Sequence, residues 1–286
     1  MEYASYGKTG RSVSRLGFGG TIAGLANYLG AFDPNERENA EQIIEAIHTA
    51  LELGVTYFDT AWSYGNGTSE RIFGEALEKA DASKIFLATK ALASDAKTAR
   101  ASLERSLKNL RRDSIDLIQI HGSFYSDEMC DMLLKKGGMA EELEKAKREG
   151  LASFIGFTIE CQNTSVYRLI RSGIFDVMQI QYNLIFQHPY DPSWKCGSIY
   201  EAEENGLGIA CMRSMTSGIF QKWIQIANPE NTFDYTPSLL QFALSNPLVD
   251  VVLAGMRSAE EVKENVKTVE DLSGRIDLDG LHTRYV

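Results

Sequence analysis

The 286-residue chain has no hydrophobic run long enough to span a bilayer. Its most apolar stretches, such as residues 249–253, fall far short of the ~20 residues a membrane helix needs. The N-terminus, Met1-Glu2-Tyr3-Ala4-Ser5, lacks the basic-then-apolar order of a signal peptide, so a cytoplasmic protein is expected. Cysteine is scarce. Cys130, Cys161, Cys196 and Cys211 form no CxxC pair and have no histidine neighbour. That pattern points away from a disulfide framework or a metal site, and toward reduced thiols packed as small apolar residues. Positive charge is in deficit: 29 Lys and Arg against 39 Asp and Glu give a net charge of −10. Nucleic acid is a poor partner for such a surface, because phosphate contacts need clustered basic side chains.

What is present is ordinary for a globular protein, with 44% apolar and 24% charged residues. The first twenty residues alternate and turn at Lys8-Thr9-Gly10-Arg11, which reads as a hairpin leading into a strand over 13–18. Strand and helix patterns then alternate. Strands are expected at 56–59, 85–89, 115–120, 153–157, 177–181, 208–212 and 249–253. Helices are expected at 38–53, 70–78, 97–110, 140–148, 165–171, 198–204, 237–244 and 259–272. Long loops are expected over 122–138 and after the strand at 177–181. Continuous apolar strands alternating with amphipathic helices imply a parallel sheet covered by helices. Eight units without a linker close most simply into one (β/α)8 barrel, a TIM barrel with an N-terminal β-hairpin cap, over residues 1–286. The competing doubly wound sheet would want GxGxxG after its first strand. Gly17-Phe18-Gly19-Gly20-Thr21 does not complete that motif.

Three of these strands end in groups with acid–base chemistry. Asp59-Thr60-Ala61-Trp62-Ser63-Tyr64-Gly65 follows Val55-Thr56-Tyr57-Phe58. Lys90 ends Ile85-Phe86-Leu87-Ala88-Thr89. His121 ends Ile115-Asp116-Leu117-Ile118-Gln119-Ile120. In a (β/α)8 barrel, chemistry is done at the C-terminal ends of the strands. Each residue alone has a bland reading: a surface tyrosine, a solvated lysine, a satisfied histidine, an aspartate capping a turn. Together and in this order they form a catalytic set.

With these residues in view, the chain resembles the aldo-keto reductase family over nearly its whole length. Asp59-Thr60-Ala61-x-x-Tyr64-Gly65 matches the family's most specific motif, and Ala88-Thr89-Lys90 the strand that ends in its lysine. Ser106-Leu107-x-x-Leu110 through His121 matches the next signature. Gln179-Ile180-Gln181-Tyr182-Asn183, and Gly255-Met256-Arg257-Ser258 with Glu264-Asn265, match two later ones. The resemblance implies NAD(P)H-dependent reduction of a small-molecule aldehyde or ketone, with the cofactor extended across the barrel's C-terminal face. Tyr64 would donate the proton. A free phenol titrates near ~10, and a neighbouring ammonium favours its ionised form. Lys90, paired with Asp59, would supply that ammonium. His121 would orient the carbonyl. Relatives that reduce carbon–carbon double bonds carry glutamate in its place.

The resemblance also implies a cofactor site, which here departs from the family pattern. Gly20, Thr21, Asp59 and Gly255 would face the cofactor, and Gln179 would bond the nicotinamide carboxamide. Thr158-Ile159 replaces the usual Ser-Asn pair. Arg213 stands where an aromatic ring usually stacks on the nicotinamide. A guanidinium plane can stack as well, and the alternative for Arg213 is an ion pair with a nearby acid. Met215, Thr216, Ser217 and Gly218 would offer backbone N–H groups and hydroxyls to the pyrophosphate. Arg257 and Ser258 suit the 2′-phosphate of NADP(H). Glu261 would repel that phosphate and accept instead from a ribose hydroxyl, which keeps NAD(H) open. Glu264 and Asn265 would contact adenine. Tyr28, Trp62, Phe124, Tyr125 and Trp194 are the expected substrate walls, and Asn27, Ser123 and Arg213 keep sugars and polyketides within range. Two other readings compete: a Schiff-base barrel using Lys90 as nucleophile, and a nicotinamide-binding barrel that senses redox state or regulates a partner with slow turnover.

Overall fold

The computed structural model describes residues 1–161 and 163–285. Strands β1 (Tyr3–Ser5) and β2 (Ser12–Ser14) form an antiparallel hairpin, with Tyr3 opposite Ser14. The chain continues through β3 (Leu16–Gly19), α1 (Arg37–Glu52), β4 (Tyr57–Asp59), α2 (Thr68–Leu77), β5 (Phe86–Leu92), α3 (Ala96–Asn109) and β6 (Ile115–His121). Next come α4 (Asp127–Leu134), α5 (Met139–Arg148), β7 (Ala152–Ile159), α6 (Val166–Ile170), β8 (Val177–Gln181), α7 (Ser198–Glu204) and β9 (Gly208–Met212). The last elements are α8 (Ile219–Ala227), α9 (Thr236–Leu244), β10 (Val251–Ala254), α10 (Ala259–Glu270) and α11 (Leu278–Tyr285). Strands β3 to β10 close in sequence order into a parallel barrel, with β10 pairing back onto β3. The architecture is a (β/α)8 barrel with an N-terminal hairpin.

Local chemistry explains the elements. In α1, Ile43, Ala46, Ile47 and Ala50 are spaced by three and four residues and all are buried. Asp95 caps α3 by accepting from the Thr98 N–H at 3.0 Å. Along each strand, alternate side chains face opposite ways. Phe58, Leu87 and Ile118 join the layer shared with the helices. Tyr57, Phe86, Ala88 and Leu117 fill the barrel interior.

The interior is layered along the barrel axis. At the N-terminal end Tyr57 stacks on Phe86, with ring centroids 5.1 Å apart. Tyr6, from the hairpin connection, meets both edge-on, and its hydroxyl lies 3.1 Å from that of Tyr57. The hairpin is therefore a plug. Two residues beyond Tyr57 lies Asp59, and four beyond Phe86 lies Lys90, so period-2 geometry lifts both to the other end.

The structure differs from the sequence reading at four places. The strand expected over 13–18 is split at Arg15, whose guanidinium reaches the Leu244 and Val249 carbonyls, each at 3.0 Å. The loop expected over 122–138 contains α4. Ser126 caps it by accepting from the Met129 N–H at 3.2 Å, and Cys130 and Leu133 are buried. Helix α8 lies between β9 and α9 with no buried residue, although Ile219, Trp223 and Ile226 are on it. The polar C-terminal stretch carries α11. Of the four free cysteines, Cys130 and Cys211 are buried as small apolar residues, whereas Cys161 and Cys196 are exposed. Among the described residues no helix is long and apolar enough to cross a membrane.

Gly74 marks a close approach of α2 to the chain leaving α3. A Cβ there would collide with the Asn109 carbonyl and the Leu110 backbone. Alanine usually favours a helix over glycine by about 1 kcal/mol. Here Gly74→Ala is expected to destabilise the protein by about 1–3 kcal/mol, lowering the thermal midpoint. A raised midpoint would show that the two segments do not pack this closely.

Candidate active site

The ends of β4 and β5 bring Lys90 and Asp59 together inside the barrel. Lys90 Nζ donates to Asp59 Oδ2 at 2.6 Å and to the Thr60 carbonyl at 2.8 Å. The side chains are 0% and 3% exposed. Burial disfavours both charges, and only a close, hydrogen-bonded pair offsets that cost. Burial is the largest single influence on the Lys90 pKa and lowers it, but the Asp59 carboxylate and the Tyr64 hydroxyl together outweigh it, so the ammonium is held above its ordinary value. Gln119 Nε2 donates to Asp59 Oδ1 at 3.3 Å and to Gln179 Oε1 at 2.9 Å. Gln179 Nε2 donates to Asp59 Oδ2 at 3.4 Å. Two amides thus tie β6 and β8 to the same carboxylate.

Tyr64 lies on the turn after β4. The Lys90 ammonium is 5.1 Å from its ring centroid. The His121 ring stands edge-on to it, at 5.7 Å and 90°. Gly24 lets the chain after β3 pack against this turn, since a Cβ there would strike the Tyr64 carbonyl. Burial, reinforced by the Lys90 charge, lowers the His121 pKa to about 3, so the imidazole is neutral. His121 Nδ1 is 3.0 Å from Ser63 Oγ.

Asp59, Tyr64 and His121 open onto a cavity of about 300 Å³, with Thr21, Tyr28, Thr158, Gln179, Arg213, Met215, Ser217 and Gly255 in its wall. A second cavity of about 330 Å³ adjoins it through shared Ile22, Leu29 and Gly255. Its wall includes Asp234, Arg257, Glu261, Glu264 and Asn265. The pair makes one elongated cleft, with amide and acid–base groups at the inner end and a guanidinium at the outer. Arg257 Nε is buried there without a hydrogen-bond partner among the described residues. This donor set fits a long molecule carrying an amide at one end and an anionic group at the other.

Several side chains assigned to that molecule from the sequence already have partners. Thr158 Oγ1 donates to the Gly122 carbonyl at 2.7 Å and accepts from the Gly122 N–H at 3.0 Å. Ile159 is buried in the outer core. Gly20 lies beneath the cleft, its carbonyl accepting from Ser69 Oγ at 2.8 Å. The Thr216 N–H donates to the Arg213 carbonyl and the Gly218 N–H to Met215, at 2.8 and 3.3 Å. Thr216 Oγ1 accepts from the Phe220 N–H at 3.1 Å. Those two residues serve the turn, and Met215 and Ser217 face the cavity. Arg213, Thr216 and Ser217 have left-handed φ values of 56°, 58° and 51°, a strained run for residues with side chains. Ser258 Oγ accepts from the Glu261 N–H, and Glu261 accepts from the Arg257 N–H at 2.5 Å, so both cap α10. Arg257 donates to the Tyr28 carbonyl and lies over the Phe32 ring, 4.9 Å away.

Arg213 is ion-paired with Glu160 at 3.0 Å, across the cavity mouth from β9 to β7. The alternative reading of this residue is the observed one. Of the expected substrate walls, Tyr28 lines the cavity. Tyr125 does not: it is fully buried, donates to the Thr158 carbonyl at 3.1 Å and packs edge-on against Phe157. Trp62 turns outward to stack on Arg105, 3.9 Å from its ring. Phe124 and Trp194 are exposed outside the wall, Trp194 by 79%. Sequence reasoning missed Ile22, Leu25, Leu29, Met212 and Glu160 in the wall, and Gln119 and Ser63 behind it. Gln119, two residues before His121 on one strand, was legible by period 2. Met212, at the end of β9 and two residues after Ala210, was legible by the same rule; the others lie outside the strands, where no such rule applies.

The profile of the Aldo/keto reductase family matches residues 15–239. The chain is similar to an L-galactose dehydrogenase of Arabidopsis thaliana, 27% identical across 95% of this chain and 89% of that protein. Over a shorter span, 42% of this chain and 38% of the relative, it is 38% identical to the aldo-keto reductase YhdN of Bacillus subtilis. Among solved structures, the holo form of aldo-keto reductase AKR11C1 from Bacillus halodurans superposes with a TM-score of 0.76, at 22% identity, covering 99% of this chain and 95% of that one. An aldo-keto reductase from Klebsiella pneumoniae in complex with NADPH gives 0.72 at 17% identity, covering 99% and 93%.

Removing one member of the buried pair should be costly. Lys90→Met alone is expected to lose about 3–5 kcal/mol in urea unfolding, and adding Asp59→Asn should restore part of it. A double-variant loss equal to the sum of the Lys90→Met and Asp59→Asn losses would mean the ion pair contributes nothing. His121 has a folded pKa of about 3, below the ~6.5 of an unfolded histidine. Its contribution to stability is therefore present above pH ~6.5 and is lost as pH falls toward 3. Its C2-proton resonance should stay constant from about pH 8 to 5, and titration near pH ~6.5 would contradict the buried, neutral ring.

Proposed function

The chain belongs to the aldo/keto reductase family, and from that premise we propose that it reduces an aldehyde or ketone to an alcohol, with Tyr64 as the proton donor and NADP(H) as the cofactor. It is an NAD(P)H-dependent oxidoreductase. The observation that carries the finer reading is the single cavity wall shared by Tyr64, neutral His121 and the carboxylate partner of Lys90.

The bound nicotinamide would supply the hydride that adds to the carbonyl carbon. Tyr64 gives its hydroxyl proton to the carbonyl oxygen, and the bond order lost there becomes the new O–H. The Lys90 ammonium, 5.1 Å from the ring, stabilises the phenolate left behind until solvent returns a proton. His121 donates a hydrogen bond to the same oxygen and aligns it. Gln179, oriented by Gln119, is the residue we assign to the carboxamide. Arg257, with its unpaired buried Nε, is the reason for assigning a 2′-phosphate at the outer end. The Klebsiella pneumoniae reductase was seen with NADPH. Schiff-base chemistry needs a neutral lysine, which the Asp59 pair opposes.

The inner cavity has an apolar side, Ile22, Leu25 and Leu29, and a polar one with Glu160 and Arg213. Together with the likeness to an L-galactose dehydrogenase, this supports starting a substrate panel with hydroxylated carbonyl compounds, sugars first. The panel, assayed with NADPH and NADH, should show turnover, with the larger kcat/KM for NADPH. Tyr64→Phe should lower kcat by roughly 10²–10⁴. Tight cofactor binding with no turnover across the panel would support the sensing barrel instead.

A further inference from the structure

Ser63 occupies one of the two unspecified positions in Asp59-Thr60-Ala61-x-x-Tyr64-Gly65, and the reaction proposed above gives it no task. Its hydroxyl is nevertheless 3.0 Å from Nδ1 of His121, 58 residues away. A neutral imidazole has one N–H and one bare nitrogen, and whichever group holds one nitrogen decides what the other presents. Nδ1 is held by Ser63, which leaves Nε2 for the cavity that His121 lines. A carbonyl oxygen beside Tyr64 can only accept. A bare Nε2 would repel it, whereas Nε2–H would bind it. A serine hydroxyl can donate to Nδ1 by rotating about its C–O bond.

We infer that Ser63 is a positioning residue that sets the tautomer of His121: its hydroxyl donates to Nδ1 and leaves Nε2 as the only N–H of the ring, directed at the reacting carbonyl oxygen. The role rests on the proposed task of His121, but the tautomer does not. The depressed proton affinity of the ring fits it, because an imidazolium would carry both N–H groups and need no selection. The neighbours on other elements leave the task to Ser63. Tyr64 touches the ring through its edge-on aromatic face, and the ammonium of Lys90 is committed to Asp59 and the Thr60 carbonyl.

Nitrogen-15 NMR of the 286-residue chain reads the tautomer directly, with the His121 signals assigned by their loss in His121→Asn. The wild type should show protonated Nε2 and bare Nδ1 at neutral pH. Ser63→Ala should give a signal averaged over both tautomers and a kcat lowered about three- to tenfold, the size of one lost hydrogen bond, with cofactor affinity unchanged. Ser63→Thr, which keeps the hydroxyl, should restore the Nε2–H pattern and also serves if the alanine variant does not fold. Protonated Nδ1 in the wild type, or an unchanged tautomer in a folded Ser63→Ala, overturns the assignment. If instead His121→Asn and Tyr64→Phe leave carbonyl reduction intact, the proposed reaction fails while the tautomer result stands.

Discussion

The ion pair between Lys90 and Asp59 is the constraint around which the upper barrel is arranged. Two charges taken from water are stable only when close together and when their remaining hydrogen-bonding capacity is met. Both conditions hold, through a 2.6 Å contact, the Thr60 carbonyl and the amides of Gln119 and Gln179. The groups come from β4, β5, β6 and β8, so a shift of one strand would break the set. Satisfying this pair fixes the strand ends, and fixed strand ends hold Tyr64 and His121 at one cavity. The hairpin matters for the same reason, since Tyr6 closes the far end of the barrel with aromatic contacts.

Around this rigid centre the loops are held by different forces. The turn after β9 keeps three non-glycine residues in left-handed conformations. Hydrogen bonds from Thr216 and Gly218 and the Arg213–Glu160 ion pair hold it there. Arg257 ties the loop after β10 to the one after β3. The cleft is thus bounded by polar ties between loops, which are weaker than core packing and more open to rearrangement. Helix α8, with no buried residue, follows the strained turn directly.

Legibility from sequence followed periodicity. Strands β4 to β10 lie within a few residues of the expected spans, because apolar runs bounded by glycine and polar turns have little other use. Helix α4 was hidden inside an expected loop although Ser126 and two acidic residues announce its start. Of the aromatic loop residues only Tyr28 reaches the cavity wall, for a physical reason: loops have no period that says which way a ring points. Tyr125 therefore went into the core and Trp62 onto Arg105. The capping role of Ser258 and Glu261 is written in their three-residue spacing, and it competed with the phosphate contact expected of Ser258 and the ribose contact expected of Glu261.

The barrel and the identity of its acid–base residues follow from the order of residues along the chain. Period-2 strands fix what faces inward, and the order of Asp59, Tyr64, Lys90 and His121 along the chain is a motif independent of loop geometry. That the expected Lys90–Asp59 pair is fully buried, that His121 is neutral and that Ser63 holds its Nδ1 emerge in the folded chain alone. So does the pairing of Arg213 across the cavity with Glu160. Those properties come from burial and from contacts between residues tens of positions apart, and neither is written in local spacing.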